Sequence, residues 1–168
     1  MIEKTLRVEK IMRGKNKMKV TGKNSLSNFI EIGLKIIFVM GIIIYLTLPI
    51  LLNMYIDIFN PILNYVAALV ILYTSGIPAL IIVFAFIKMF ETLKKDNPFV
   101  RENVKYLKIV SVCSLIISII YIVGMFFIVS VFEIIAIAIF IIAFLGTYVL
   151  SELLRKAIEY KEENDLTI

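Results

Sequence analysis

The sequence predicts an all-α integral membrane protein, a four-helix bundle in which two transmembrane hairpins are joined by a cytoplasmic helical hairpin. Three observations lead to this fold class. Hydrophobic residues make up 61% of the 168 positions and the mean hydropathy is +0.97, which is too apolar for a soluble domain. The apolar residues form runs long enough to cross a bilayer. The charged residues are clustered between those runs.

Four apolar segments are predicted to span the membrane. We place them at about residues 33–52, 63–90, 109–130 and 134–154. The run from 109 to 150 contains a single charged residue, Glu133, and as one helix it would be about twice the ~30 Å thickness of the hydrocarbon layer. This run must therefore fold back, and Ser130–Glu133 is the expected turn.

Two prolines lie within the first two predicted spans. Pro49 is close to the end of its span, where it should only bend the helix. Pro78 lies in the middle of the second span, where it removes a backbone hydrogen bond and kinks the helix. We expect the hydroxyl of Thr74 or Ser75 to bind the freed carbonyl. The kink is interpreted as a static bend, with a functional hinge as the alternative.

A polar segment from Lys88 to Lys108, called the island below, separates the second and third spans with six Lys or Arg and three acidic residues. Asp96-Asn97-Pro98 predicts a helix end near Lys95 and a helix start at Pro98. Apolar residues at helical spacing on both sides predict a hairpin with facing seams; they are Phe86, Phe90, Leu93, Val100, Val104 and Leu107. The island is either a solvated connector or a docking surface for a cytosolic partner.

The distribution of positive charge predicts the orientation. All eighteen Lys and Arg fall on one side of this topology, whereas the two turns on the other side carry only Asp57 and Glu133. By the positive-inside rule, both termini and the island lie in the cytoplasm. The abundance of Ile, Lys and Asn is typical of an AT-rich bacterial genome, so we expect a multi-pass protein of the bacterial plasma membrane.

The two ends of the chain differ in charge. Residues 1–32 are predicted to be a basic cytoplasmic segment that lies against anionic lipid headgroups; its helical pattern is weak and Gly14 and Gly22 interrupt it. Direct nucleic-acid binding is not expected, because no binding fold is recognisable. Residues 155–168 form an acidic cytoplasmic tail that continues the fourth helix and is expected to pair with the island. Its predicted apolar seam is Leu150, Leu154, Ala157 and Ile158.

Within the membrane, small residues four positions apart predict close helix packing; the pairs are Ser114 with Ser118, Ser75 with Ala79, and Ala143 with Thr147. No ionisable residue lies at the middle of a predicted span. Glu133 is interpreted as a turn residue that faces the outer surface, and a proton or cation site is the alternative.

The composition also excludes several kinds of active site. The chain has no histidine and a single cysteine, Cys113, so Ser-His-Asp and Cys-His systems, His-based zinc or haem sites and multi-cysteine metal sites cannot be assembled from one copy. We therefore predict no catalytic residue, no cofactor and no metal ion, and we do not expect an enzyme.

Two stretches resemble a known family: Asn97-Pro98-Phe99 with Arg101-Glu102-Asn103 and Leu107, and the terminal Glu162-Glu163-Asn164-Asp165-Leu166-Thr167-Ile168. They are similar to an uncharacterised bacterial family of four-span membrane proteins, the domain of unknown function numbered two-nine-seven-five, over roughly residues 30–168. Ala157 stands where that family often has glycine. Members are frequently encoded beside a helix-turn-helix repressor of the Xre or Cro type, which implies a membrane component of a regulatory pair.

The leading functional hypothesis is a regulatory or interaction protein whose island and tail form a cytosolic platform for a partner such as a helix-turn-helix regulator. The alternative is a small transport or antimicrobial-peptide immunity protein, for which Thr47, Ser75, Ser118 and Thr147 would converge on a hydrated cavity. Self-association into a homo-oligomer is left open by the sequence. The candidate partner-binding residues are Asn97, Pro98, Phe99, Arg101, Glu102, Asn103, Asp165, Leu166, Thr167 and Ile168.

Overall fold

The computed structural model describes the backbone of residues 2–59, 64–94, 100–128 and 131–165, and side chains from residue 28 onward except those of 59, 93, 94 and 165. Four helices fill these ranges: α1 (Ile2–Phe59), α2 (Tyr65–Lys94), α3 (Arg101–Gly124) and α4 (Val131–Asp165). Each is long and apolar enough to cross a membrane. The predicted all-α four-span bundle is confirmed. The end of the bundle where α2 connects to α3 is called the island end, and the opposite end is called the far end.

The first helix is continuous over 58 residues, so the backbone of the basic N-terminal residues is not separate from the first span. The helix continues through Gly14 and Gly22, which interrupt its apolar pattern, and this is consistent with the cost of only ~1 kcal/mol for one glycine in a helix. At ~1.5 Å per residue, roughly 45 Å of helix precedes Gly33. The predicted contact of this part with anionic headgroups stays a prediction.

Among the described residues, helices pack only against their neighbours in sequence: α1 on α2, α2 on α3, and α3 on α4. The third helix has the largest buried share of the four, and its packing against α4 is the most extensive helix pairing among the described residues. The predicted seam residues Val104 and Leu107 are buried in it. Since α1 and α4 do not pack closely on each other, the side of the bundle between them is left open.

Serine side chains allow α3 and α4 to pack closely. Ser111, Ser114 and Ser118 on α3 and Ser151 on α4 are at most 2% exposed. The hydroxyl of Ser111 donates a hydrogen bond across the interface to the carbonyl of Phe144, at 3.3 Å. The predicted close packing through small residues is therefore confirmed for α3. Toward the end of α4, Ser151 and Ile158 are buried, whereas Leu150 is 51% exposed, so the prediction that Leu150 belongs to the apolar seam is wrong.

Two predicted helix boundaries on α3 are wrong. The helix begins at Arg101 and not at Pro98, because Val100 has an extended backbone with φ −120° and ψ 142°. It ends at Gly124 and not near Ser130, and the turn formed by residues 125–128 follows, with the amides of Phe127 and Ile128 donating to the Gly124 carbonyl. The fold-back of the long apolar run is confirmed, but its turn comes earlier than predicted.

The prediction for the hydroxyls near Pro78 is also wrong. Thr74 donates to the carbonyl of Val70 at 2.7 Å and Ser75 donates to that of Leu72 at 3.3 Å, so both bind carbonyls of the preceding turn. Both prolines lie inside continuous helices, as expected for residues that bend a helix without ending it.

Candidate functional site

The start of α3 and the end of α4 are joined at the island end by an ion pair. Arg101 Nη2 lies 2.7 Å from Glu162 Oε2, and Arg101 Nε donates to Glu162 Oε1 at 3.3 Å. This two-pronged geometry aligns the guanidinium with the carboxylate, which gives the contact a defined direction. The predicted pairing of the tail with the island is therefore present in the structure.

A second set of ion pairs follows one side of the same interface. Lys108 Nζ lies 3.3 Å from Glu152 Oε1, which joins α3 to α4. Arg155 lies on α4 between two acids, 2.8 Å from Glu152 and 3.0 Å from Glu159. Together with Arg101–Glu162, these contacts form a network, which holds side chains in place better than isolated surface pairs.

Glu162 lies several helical turns beyond the ~20 residues of α4 that fit within the hydrocarbon layer. The hydrogen bond from Arg101 and the nearby positive charge hold the pKa of the Glu162 carboxyl below its ordinary value. Both side chains are exposed, so water and salt screen the attraction. The pair therefore positions the tail and adds little to the stability of the fold.

The predicted partner-binding residues at the start of α3 fall into two environments. Arg101 and Glu102 are exposed, whereas Asn103 is only 3% exposed. The side-chain oxygen of Asn103 accepts a hydrogen bond from the hydroxyl of Thr92, whose single proton is shared with the Met89 carbonyl. Asn103 therefore joins α2 to α3 inside the hairpin, and a partner could reach only the first two residues directly.

The remaining predicted partner-binding residues cannot be compared with the structure. Asn97, Pro98, Phe99, Leu166, Thr167 and Ile168 lie outside the described residues. Asp165 is the last residue of α4. Their part in partner binding stays a prediction.

Charged side chains also join α1 to α2 at the island end. Lys35 pairs with Glu31 one turn earlier, and its Nζ lies 4.0 Å from Glu91 on α2. Lys88 pairs with Glu91 at 2.9 Å and lies 5.6 Å from the centre of the Phe84 ring. Such contacts let lysines at a membrane boundary keep their charge solvated while their stems remain in the apolar region.

A cavity of about 300 Å³, the mid-bundle cavity, lies between α1 and the other helices halfway along the bundle. Its wall includes Tyr45, Ser75, Gly76, Tyr121 and Phe140. Of the four hydroxyl residues expected to converge on a hydrated pathway, only Ser75 is in this wall. The Thr47, Ser118 and Thr147 hydroxyls each donate to a carbonyl of their own helix.

A larger cavity of about 690 Å³, the far-end cavity, lies between the last turns of the first span and the start of α4. Most of its wall is apolar, and Tyr55, Tyr121, Phe132 and Glu133 add the aromatic and polar groups. Glu133 is the third residue of α4 and only 9% exposed. The prediction that Glu133 is a turn residue facing the outer surface is wrong, because the turn ends before α4 and the side chain is enclosed by the bundle.

Within the described residues, no three His, Cys, Asp or Glu side chains come together in a group that could hold a metal ion. Cys113 is a buried free thiol in α3, 7% exposed. A buried free cysteine of this kind usually acts as a small hydrophobic residue.

Residues 44–168 match a family described as "Protein of unknown function (DUF2975)". The chain belongs to this family. The match begins within the membrane part of α1, covers about its second half, and includes all of α2, α3 and α4, so the DUF2975 domain comprises most of the membrane bundle and the tail. No curated protein and no solved structure matches the chain significantly. Because four of its helices are long and apolar enough to cross a membrane, this DUF2975 protein is a multi-pass membrane protein.

Sequence reasoning missed two features of this DUF2975 protein. It did not single out Tyr45, which joins α1 to α2, and it did not predict the far-end cavity. Both arise where side chains from different helices meet, and the helices are apolar all round, so periodicity did not identify the contacting faces. The one available signal was Glu133, the single charge in a long apolar run.

Proposed function

We propose that the protein is a non-enzymatic regulatory or interaction component of the bacterial plasma membrane. In this proposal the start of α3 and the end of α4 form a cytosolic platform that holds a protein partner, such as a helix-turn-helix regulator. The observation that carries the proposal is the Arg101–Glu162 pair, which joins two segments far apart in sequence into one charged surface.

Charge placement supports the cytoplasmic orientation of this platform. Asp57 and Glu133 are the charged residues of the far end that the structure describes. The positive-inside rule assigns the cationic end of such a protein to the cytoplasm, together with both termini. The cationic residues with described side chains all belong to the island end: Lys35, Lys88, Arg101, Lys105, Lys108, Arg155, Lys156 and Lys161.

The platform also has an apolar group at its surface. Tyr160 is 68% exposed on α4, in the same helical turns as Glu159 and Glu162 of the ion-pair network. Tyrosine and arginine are enriched among the residues that dominate protein–protein binding, since each offers a large contact area with polar groups. An exposed tyrosine in an ordered, charged surface is the composition expected of a docking site.

The absence of histidine and the single buried cysteine support a role without catalysis, because the usual nucleophile, base and metal-ligand sets would have to be built without them. The second candidate function, a small transport or antimicrobial-peptide immunity protein, is favoured by the far-end cavity with its buried acid. The hydroxyls of Thr47, Ser118 and Thr147 each donate to a carbonyl of their own helix and so do not line a shared polar pathway. This supports the platform over transport.

Site-specific photocrosslinking tests the platform. A photoreactive amino acid replaces Tyr160 in the full chain, and the matched control carries it at Tyr148, which is 50% exposed but lies within the fourth predicted span. After irradiation of living cells, we expect one soluble protein to be linked at position 160 and not at 148. The same link should disappear when Arg101 and Glu162 are both replaced by alanine. Identical soluble products at both positions, or none at either, would overturn the proposal.

A further inference from the structure

The far-end cavity has the size of a small-molecule site. Its volume of about 690 Å³ falls in the range of ~300–1,000 Å³ typical of ligand pockets. Leu48, Leu52, Ala68 and Ile71 provide an apolar wall that suits a hydrophobic body. Tyr55 and Phe132 belong to the same wall and are 46% and 78% exposed, so they form its rim toward the surroundings of the bundle.

The cavity carries one acidic side chain. Glu133 is the one charged residue in the wall that the described residues form, and it is 91% enclosed, being 9% exposed. It lies in the first turn of α4, where the helix dipole stabilises a negative charge. A carboxylate held there selects a positively charged occupant.

Aromatic rings complete the arrangement. Tyr55, Tyr121 and Phe132 are part of the same wall as Glu133. The faces of such rings attract cations, most strongly where water is excluded, and they favour organic cations over small hydrated ions. An apolar wall, aromatic residues and one carboxyl group are together complementary to a single class of ligand.

The geometry points to a binding site for a lipophilic organic cation, a molecule with a hydrophobic body and one ammonium or phosphonium charge, in the far-end cavity. A lipid acyl chain would use the apolar wall alone and would be indifferent to Glu133. The inference extends beyond the platform and does not depend on it, because the two sites lie at opposite ends of the bundle.

Binding of tetraphenylphosphonium to the purified full-length protein in a non-ionic detergent tests this site. Equilibrium dialysis should show saturable binding at one site per chain. Glu133→Gln should weaken binding about tenfold or more, since a contact to a charged group contributes ~1.5–3 kcal/mol. The matched control is Asp57→Asn, an exposed acid at the same end that is not part of the cavity wall, which should leave the affinity within twofold.

Three further measurements decide the outcome. Ala136→Phe fills the cavity without changing its charge, so it should abolish binding while the protein stays monodisperse; this variant carries the test if Glu133→Gln does not fold. Triphenylphosphine oxide, which is uncharged, should bind at least tenfold more weakly than the cation. Equal affinities for the two probes, non-saturable uptake, or full binding by either cavity variant would overturn the site. Crosslinking at Tyr160 should be unchanged in Glu133→Gln, which separates this test from that of the platform.

Discussion

The Tyr45 ring lies directly over Gly76, and a Cβ atom added to Gly76 would come within 2.7 Å of ring atoms Cδ2 and Cε2. The Tyr45 hydroxyl donates to the carbonyl of Tyr73 at 3.3 Å, and the two tyrosine rings meet edge to face with centroids 4.9 Å apart. All three contacts lie within the turn and a half of α2 that precedes Pro78. This cluster therefore fixes where α1 crosses α2, just before Pro78.

We expect Gly76→Ala to destabilise the protein by about 1–3 kcal/mol, since the added methyl group must displace the ring of Tyr45. Reversible unfolding in mixed detergent micelles measures the change. Gly146→Ala is the control, because nothing lies within 4 Å of a Cβ at Gly146. Combining Gly76→Ala with Tyr45→Ala should remove most of the added penalty, and strictly additive losses would contradict the proposed clash.

Reversing the charge of Arg101 should release the tail from the start of α3. We expect Arg101→Glu to increase the rate at which protease cuts after Lys161, and the double reversal with Glu162→Arg to restore protection. Lys105→Glu, at an exposed position one turn further along α3, makes the same charge change and should have little effect. The interpretation fails if Arg101→Glu and Lys105→Glu expose the tail equally.

The same contact should depend on pH in a direction set by Glu162. Its folded-state pKa is lowered by Arg101, so the contribution of the pair is complete above the ordinary carboxyl pKa of about 4.3 and is lost as the pH falls through the lower folded value. Protease protection of the tail should therefore decrease on acidification below that point, and it should not decrease between neutral pH and pH 6. High salt should weaken the protection at neutral pH.

Removing the Asn103 side chain should loosen the α2–α3 hairpin. Asn103→Ala deletes a buried acceptor of the Thr92 hydroxyl, and we expect a loss of about 1–3 kcal/mol in unfolding free energy. Glu102→Ala, at the exposed neighbouring position, should change stability by no more than about 0.5 kcal/mol. In a double-mutant cycle with Thr92→Val, the double variant should lose less unfolding free energy than the two single variants lose together. Strictly additive losses would count against the contact.

Cysteine labelling tests the proposed orientation. In a Cys113→Ser background, a membrane-impermeant thiol reagent should reach Asp57→Cys at the far end in intact cells. Asn97→Cys, in the link between α2 and α3, should react only after the cells are permeabilised. Labelling of Asn97→Cys in intact cells would reverse the orientation and remove the platform from the cytoplasm.

The membrane class and the number of helices followed from the sequence, because long apolar runs have few alternatives to helices in a bilayer. Helix ends were predicted less well. Near Pro98 the local signal was strong, yet extended Val100 delays the start of α3 to Arg101. Near Gly124 the signal was weak, since one glycine within an apolar run does not indicate whether the helix ends there.

The candidate functional residues were likewise predictable only in part. Pairing between the basic island and acidic tail was predictable from charge, although the choice of Arg101 and Glu162 as partners depends on where α4 ends beside α3. The burial of Glu133 was not predictable, because a charge between two apolar runs usually marks a turn. The cavity around it depends on the gap between α1 and α4, which is a property of helix packing and not of any single segment.

The unbroken first helix has a mechanical consequence. A single α-helix of 58 residues is a stiff rod, and in this protein it is fastened on one side only, along α2. Its N-terminal arm of roughly 45 Å would amplify small displacements, so a change in tilt of about 10° within the membrane part would swing the tip by about 8 Å. A molecule that bound in the open side of the bundle near Tyr55 and tilted α1 would therefore displace the N-terminal end of this helix at the opposite membrane surface.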